Sequence, residues 1–109
     1  MASATINLQD FRTPGSKVFT GRDRGAQVRK DSKIDTVANQ NESVTIAIPI
    51  DIRSINPSFL EEFLVNVVST LKREGFYQKF HIDNPGQYKI DEDLRDAIDR
   101  ILRQKNALA

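Results

Sequence analysis

The chain has 109 residues, no cysteine, a single histidine (His81), 16 Lys+Arg against 15 Asp+Glu, and 39% hydrophobic residues. That is the size of one domain; the missing thiols exclude disulfides, thiolate metal sites and a cysteine nucleophile, and one His excludes the usual two- and three-His zinc arrangements. A charged fraction of 28% with a net charge of +1 fits an ordinary globular surface rather than the strongly basic balance of a dedicated nucleic-acid binder.

Thr5 to Phe11 places Ile6 and Leu8 two apart and reads as a short half-exposed strand. Thr13-Pro14-Gly15-Ser16 is a turn, because Pro presets φ at its first central position and Gly supplies a positive φ at its second, so a hairpin into Val18-Phe19 is expected. A helix follows from about Asp23 to Lys30, while the polar stretch Asp31 to Glu42, anchored by Ile34, Val37 and Ala38, reads as a weak helical turn or a surface loop. Val44 to Asp51 is β-branched and nearly all apolar, which predicts a central strand covered on both faces with Pro49 near its end or at a bulge. Ile52 to Ile55 reads as a short connection.

Asn56-Pro57-Ser58-Phe59 opens the clearest helix. The Asn side chain can accept from first-turn amides, and Pro at the first position lacks an amide that would go unpaired. Glu61 and Glu62 then lie near the positive end of the helix dipole, Lys72 and Arg73 near the negative end, and Gly75 offers a stop. Phe59, Leu60, Phe63, Leu64, Val67, Val68 and Leu71 spread over about half the circumference, wider than the ~100° stripe of a surface helix, so this helix is expected to be buried on two sides or to await a partner on one. Phe76 to Ile82 reads as a strand, Asn84-Pro85-Gly86-Gln87 as a turn, and Asp91 to Gln104 as a final helix with Lys105 to Ala109 fraying. Strands separated by helices predict an α/β domain, residues 1–109 with a core of about 18–102, in which helices pack on a sheet of about four strands. The longest apolar run, Ile46 to Ile50, is five residues and includes Pro49, so a cytoplasmic protein without a membrane span is expected.

Two segments are distinctive together: Phe19-Thr20-Gly21-Arg22-Asp23-Arg24-Gly25-Ala26-Gln27-Val28-Arg29 and Ile55-Asn56-Pro57-Ser58-Phe59-Leu60-Glu61-Glu62-Phe63. The first resembles the F-x-G-R-x-x-G-x-x-x-R segment, and the second the I-x-x-S-F segment, of the bacterial STAS-like domain family of unknown function (DUF4325). The resemblance covers about Val18 to Leu102. It implies a STAS-like fold, related to that of the anti-sigma factor antagonists, and a non-enzymatic regulatory role in signal transduction, exerted by binding a histidine-kinase-like ATPase. In the antagonists a serine at the start of the corresponding helix accepts phosphate; that position falls on Pro57 here, and Ser58 matches the second serine of their motif.

The candidate partner-binding residues are accordingly Asn56, Pro57, Ser58, Phe59 and Glu62, with Arg22, Arg24 and Arg29 as a second contact. Ser58 is the candidate phosphorylation site: a charge of about −1.5 to −2 would be tolerated by the helix dipole and would repel an acidic or apolar partner surface. The alternative is that Ser58 caps or packs the helix start; Ser54 is a second acceptor. From Arg12 to Lys33 seven Lys/Arg face two acids, a local excess of five positive charges that could meet an acidic protein, a nucleotide or a nucleic-acid backbone. Gly21 and Gly25 are equally explained by a turn and a close helix–sheet contact, and Arg22 by a structural pair with a carboxylate. No catalytic residue, metal site or cofactor is expected: Ser58 and His81 lack a nucleophile elbow around the serine, and Asp91, Glu92, Asp93, Asp96 and Asp99 lie opposite the inward face of their helix. Tyr77, Phe80 and Tyr88 do not interleave with basic residues as in an RNA-binding sheet.

Overall fold

The computed structural model describes residues 2–108, with side chains described for residues 2–104. In chain order the elements are β1 (Ser3–Asn7), a 3-10 turn (Leu8–Phe11), β2 (Val18–Phe19), α1 (Arg22–Ser32), α2 (Ile34–Gln40), β3 (Ser43–Ala47), β4 (Ser54–Ile55), α3 (Pro57–Lys79), β5 (Phe80–Asp83) and α4 (Asp91–Leu108). The protein is α/β, with helices packed against parallel strands. The expected sheet of about four strands is divided into a three-stranded sheet in the order β1-β3-β5 and a two-stranded sheet of β2 and β4.

The order β1-β3-β5 follows the chain, so right-handed crossovers carry α1, α2 and α3 to one face. The register aligns Ala4, Val44 and Phe80 in one row and Ile6, Ile46 and Ile82 in another. Val44, Ile46, Ile6 and Phe80 from these rows are buried beneath the helices. The intervening rows, Thr5-Thr45-His81 and Asn7-Ala47-Asp83, lie on the opposite face, where Thr5, Asn7, His81 and Asp83 are exposed. The central strand is therefore covered on one face, not two. Its small residues Thr45 and Ala47 give an apolar-looking run although only alternate positions reach the core. Pro49 falls just past β3, where its missing amide removes nothing from the ladder; the Ile48 amide still donates to Asp83 O at 2.9 Å.

The expected hairpin is absent for a local reason. Thr13 to Ser16 does turn, with the Ser16 amide donating to Thr13 O at 2.9 Å and Gly15 at φ +80°. The 3-10 turn at Leu8–Phe11 has already taken the chain off β1, so β2 pairs instead with β4, in parallel, Val18 to Ser54 and Phe19 to Ile55. Ile52 to Ile55, read as connection, thus contributes a strand. The polar stretch after α1 forms the two-turn α2, anchored by buried Ile34 and Ala38.

α3 lies on the sheet between α1 and α4, and α2 also packs against it, which accounts for its wide apolar face. Gly75 does not end it. The helix instead breaks at Lys72, at φ 62° and ψ −179°, and a second segment continues to Lys79, so residues 76–79 are helical where a strand was expected. Length explains the break. A straight helix of 23 residues would run about 35 Å, twice the ~17 Å of five-residue β3, and could not deliver the chain to β5 beside it. α4 begins at Asp91 as expected and runs to Leu108, past Gln104; the fraying expected of Ala109 lies outside the described residues.

Candidate functional site

β2 and β4 each lead directly into a helix, β2 through Gly21 into α1 and β4 through Asn56 into α3. Their parallel pairing therefore sets two helix starts side by side. The Asn56 amide donates to Phe19 O at 2.8 Å and the Arg53 amide to Lys17 O at 2.7 Å, extending the alignment beyond the two bridged pairs. Residues 19–29 and 55–63 thus share one surface.

Gly21 has φ +91°, which disfavours any side chain at the turn from β2 into α1. At Gly25 the requirement is space: a Cβ there would stand 2.4 Å from Phe59 O and 3.0 Å from Glu62 Cβ. The close contact expected between helix and sheet at this glycine is instead between two helices, α1 and α3. At the head of α3 the Asn56 side chain accepts from the Ser58 amide at 2.7 Å, with Pro57 in the first turn.

The arginines of the first segment turn toward α3. Arg22 Nη1 lies 3.2 Å from Glu61 Oε1, and Arg29 Nη1 lies 3.7 Å from Glu62 Oε2 while also donating to Glu62 O. Arg24 donates to Phe11 O, tying α1 to the 3-10 turn. Upstream, Arg12 donates to both carboxylate oxygens of Asp51, at 2.9 and 3.1 Å, and these hydrogen bonds hold the Asp51 carboxyl below the usual carboxylate range. Much of the positive excess between Arg12 and Lys33 is consequently matched in space by Asp51, Glu61 and Glu62.

Arg22 and Asn56 are exposed, and Pro57, Ser58, Glu62, Arg24 and Arg29 are partly so. Phe59 is a correction to the predicted recognition surface. It is fully buried, its ring 5.1 Å from that of Phe19 and 5.9 Å from that of Phe63, so it anchors the helix start and cannot be offered to a partner.

Glu61 is the residue that sequence reasoning missed. Its sequence position places it only near the positive end of the helix dipole, and it is 3% exposed. Its Oε1 accepts from Gln104 Nε2 at 3.3 Å besides facing Arg22, and Arg100 Nη1 approaches Oε2 at 3.9 Å. Oε2 accepts no hydrogen bond from the described residues. A buried carboxylate between two guanidinium groups couples α1 and α4 through α3. Its position among Leu60, Phe63 and Leu64 was the available signal, since a wide apolar face reaches around to include it.

The other candidates fall elsewhere. His81 is exposed on the sheet face away from the helices, so the sheet separates it from Ser58. Asp91, Glu92 and Asp96 are exposed, Asp99 pairs with Arg73, and Asp93 faces the Tyr88 hydroxyl at 2.6 Å. The same hydroxyl lies 3.0 Å from Ile55 O, so its single proton is shared between two acceptors and ties the loop after β5 to β4; burial first, then the bond to Asp93, pushes the hydroxyl above the ordinary tyrosine range. Among the described residues, no helix is long and apolar enough to cross a membrane.

No family model, curated protein or solved structure matches the chain. The likeness to the STAS-like family therefore rests on the residues of the two segments.

Proposed function

We propose that this protein is a non-enzymatic regulatory module of STAS-like type that binds another protein, with a histidine-kinase-like ATPase as the partner in a partner-switching pair. The observation that carries this reading is the parallel pairing of β2 with β4, which joins the two family-like segments into one surface at the starts of α1 and α3. Arg22 and Asn56 form its exposed part, and Pro57, Ser58 and Glu62 its half-buried part. Protein docking is favoured over nucleotide or nucleic-acid binding because Arg12, Arg22 and Arg29 already face carboxylates, which lowers the positive potential a phosphate backbone would meet. Phosphorylation of Ser58 would add charge beside the first-turn amides of α3, where the helix tolerates it and an acidic partner does not.

The test is affinity capture of the tagged chain from its native host followed by mass spectrometry, with Ser58→Lys and Arg22→Ser variants of verified fold as controls. A histidine-kinase-like ATPase recovered by the wild type and reduced at least tenfold by either variant supports the reading. Repeated absence of such an ATPase, or equal recovery by the variants, overturns it. Binding of an oligonucleotide that falls steeply with salt would favour the nucleic-acid alternative.

A further inference from the structure

Lys72 occupies a backbone region, φ 62° and ψ −179°, that is essentially confined to glycine. Its neighbourhood does not ask for that conformation. Ser69-Thr70-Leu71-Lys72-Arg73-Glu74 contains no Gly or Pro, and Leu, Lys, Arg and Glu are strong helix formers, so local preference is for an unbroken α3. The break is imposed by the crossover to β5. Local and global preferences conflict at one exposed residue, on the covalent link between the first 71 residues and everything after them.

The part beyond the break behaves as a unit. Phe76 stacks on Phe80 with ring centroids 4.8 Å apart, and Arg73 pairs with Asp99, so the second segment of α3, β5 and α4 hold one another. Its attachments to the rest of the fold are ones that a second copy could supply with unchanged geometry: the β3/β5 register, the α3/α4 packing, Arg100 and Gln104 around Glu61, and Lys79 Nζ donating to Ala38 O at 2.7 Å. We propose that Lys72 is a hinge across which two copies of this chain exchange residues 73–108. In the exchanged dimer α3 runs straight, relieving Lys72, and β5 and α4 of each copy fill the places of their counterparts in the other. Continuing the apolar stripe of α3 past Leu71 brings up Glu74, Gly75 and Gln78, a polar face suited to a helix leaving the globule. Hinges under strain are a recognised route to such dimers. This inference is independent of the proposed partner.

Lys72→Gly and Lys72→Ala separate the two states. Gly relaxes the broken conformation and weakens the straight helix; Ala does neither. The two variants should differ about thirtyfold per hinge, hence about a thousandfold in dimerisation constant, with wild type between. The assay is size-exclusion chromatography with light scattering on full-length protein refolded over a range of concentrations. A second measurement identifies the exchange: Thr45→Cys with His81→Cys places cysteines at partnered positions of β3 and β5, about 4.8 Å apart across neighbouring strands and within disulfide reach, in a chain with no other cysteine. Isolated dimer should oxidise to a covalent dimer and isolated monomer to a covalent monomer. Equal dimer fractions for wild type and Lys72→Gly, or dimers whose disulfides close within one chain, overturn the proposal, including if Lys72→Ala fails to fold.

Discussion

Gly25→Ala adds one methyl group to the α1/α3 contact. Its carbon would stand 2.4 Å from Phe59 O, where C···O contacts normally settle at about 3.3–3.6 Å, so α1 must retreat by about 1 Å. The obstacle is backbone carbonyl, which cannot swing aside as a side chain could. A gap of that size forfeits about a quarter to a half of the dispersion attraction across the interface, where Val28 and Phe59 are fully buried. Overpacking of this rigid kind costs about 3 kcal/mol, the upper part of its usual range, and the better helix propensity of Ala returns about 1. The expected net loss is about 2 kcal/mol, or a fall in Tm of about 10 °C for a domain of this size. Urea unfolding followed by circular dichroism measures it, with an unchanged slope showing that the same surface unfolds. Gly75→Ala is the matched control: there a Cβ meets no backbone atom of another element, only Leu71 Cβ at 3.2 Å and Cδ2 at 3.8 Å, a contact relieved by a shift of a few tenths of an ångström, and stability should stay within about 1 kcal/mol of wild type. Gly25→Ala as stable as the parent would refute the close helix contact.

Glu61→Ala leaves Arg22 and Arg100 opposed across an emptied site and should cost about 2–3 kcal/mol by urea unfolding, below the usual figure for a broken buried pair because both arginines are half exposed; Glu61→Leu should recover most of it. A wild-type midpoint for Glu61→Ala would show that the carboxylate does not couple α1 to α4. Tyr88→Phe removes the hydroxyl that joins Ile55 O and Asp93 and should cost about 1–2 kcal/mol near neutral pH. Because the native fold raises the Tyr88 pKa above its unfolded value near 10, the stability linked to it is fully present below pH 10 and is lost as pH rises above that; the decline should be shallower in Tyr88→Phe, and identical alkaline profiles would contradict the assignment. Intact-mass measurement after incubation with the cognate kinase and ATP should show one added phosphate in wild type and none in Ser58→Ala.

What the sequence made legible, and what it did not, follows from the range of the interactions concerned. The cap at Asn56-Pro57, the acidic opening of α4 and the Pro-Gly turn are fixed by neighbours a few residues apart, and each was readable. The pairing of β2 with β4 joins residues 36 positions apart through strands of two residues, too short for any periodicity to announce. The end of α3 lay between these cases. Phe76 falls about 140° around the helix from Leu71, so the apolar stripe does change direction close to the break, but strong helix formers on both sides concealed which residue gives way.

Glu61 shows most clearly why the site was harder to read than the fold. Charge and position in the first turns of a helix ordinarily place a carboxylate in solvent. Here parallel β2 and β4 bring α1 against one side of α3, the crossover to β5 brings α4 against the other, and the space between them closes over a residue whose identity is acidic. The arginines that face it come from position 22 on one side and position 100 on the other. The positive excess between Arg12 and Lys33, which as sequence invites an external anion, is largely the complement of Asp51, Glu61 and Glu62 further along the chain. A charge imbalance along a sequence is therefore best judged after asking which oppositely charged stretch the topology returns to it.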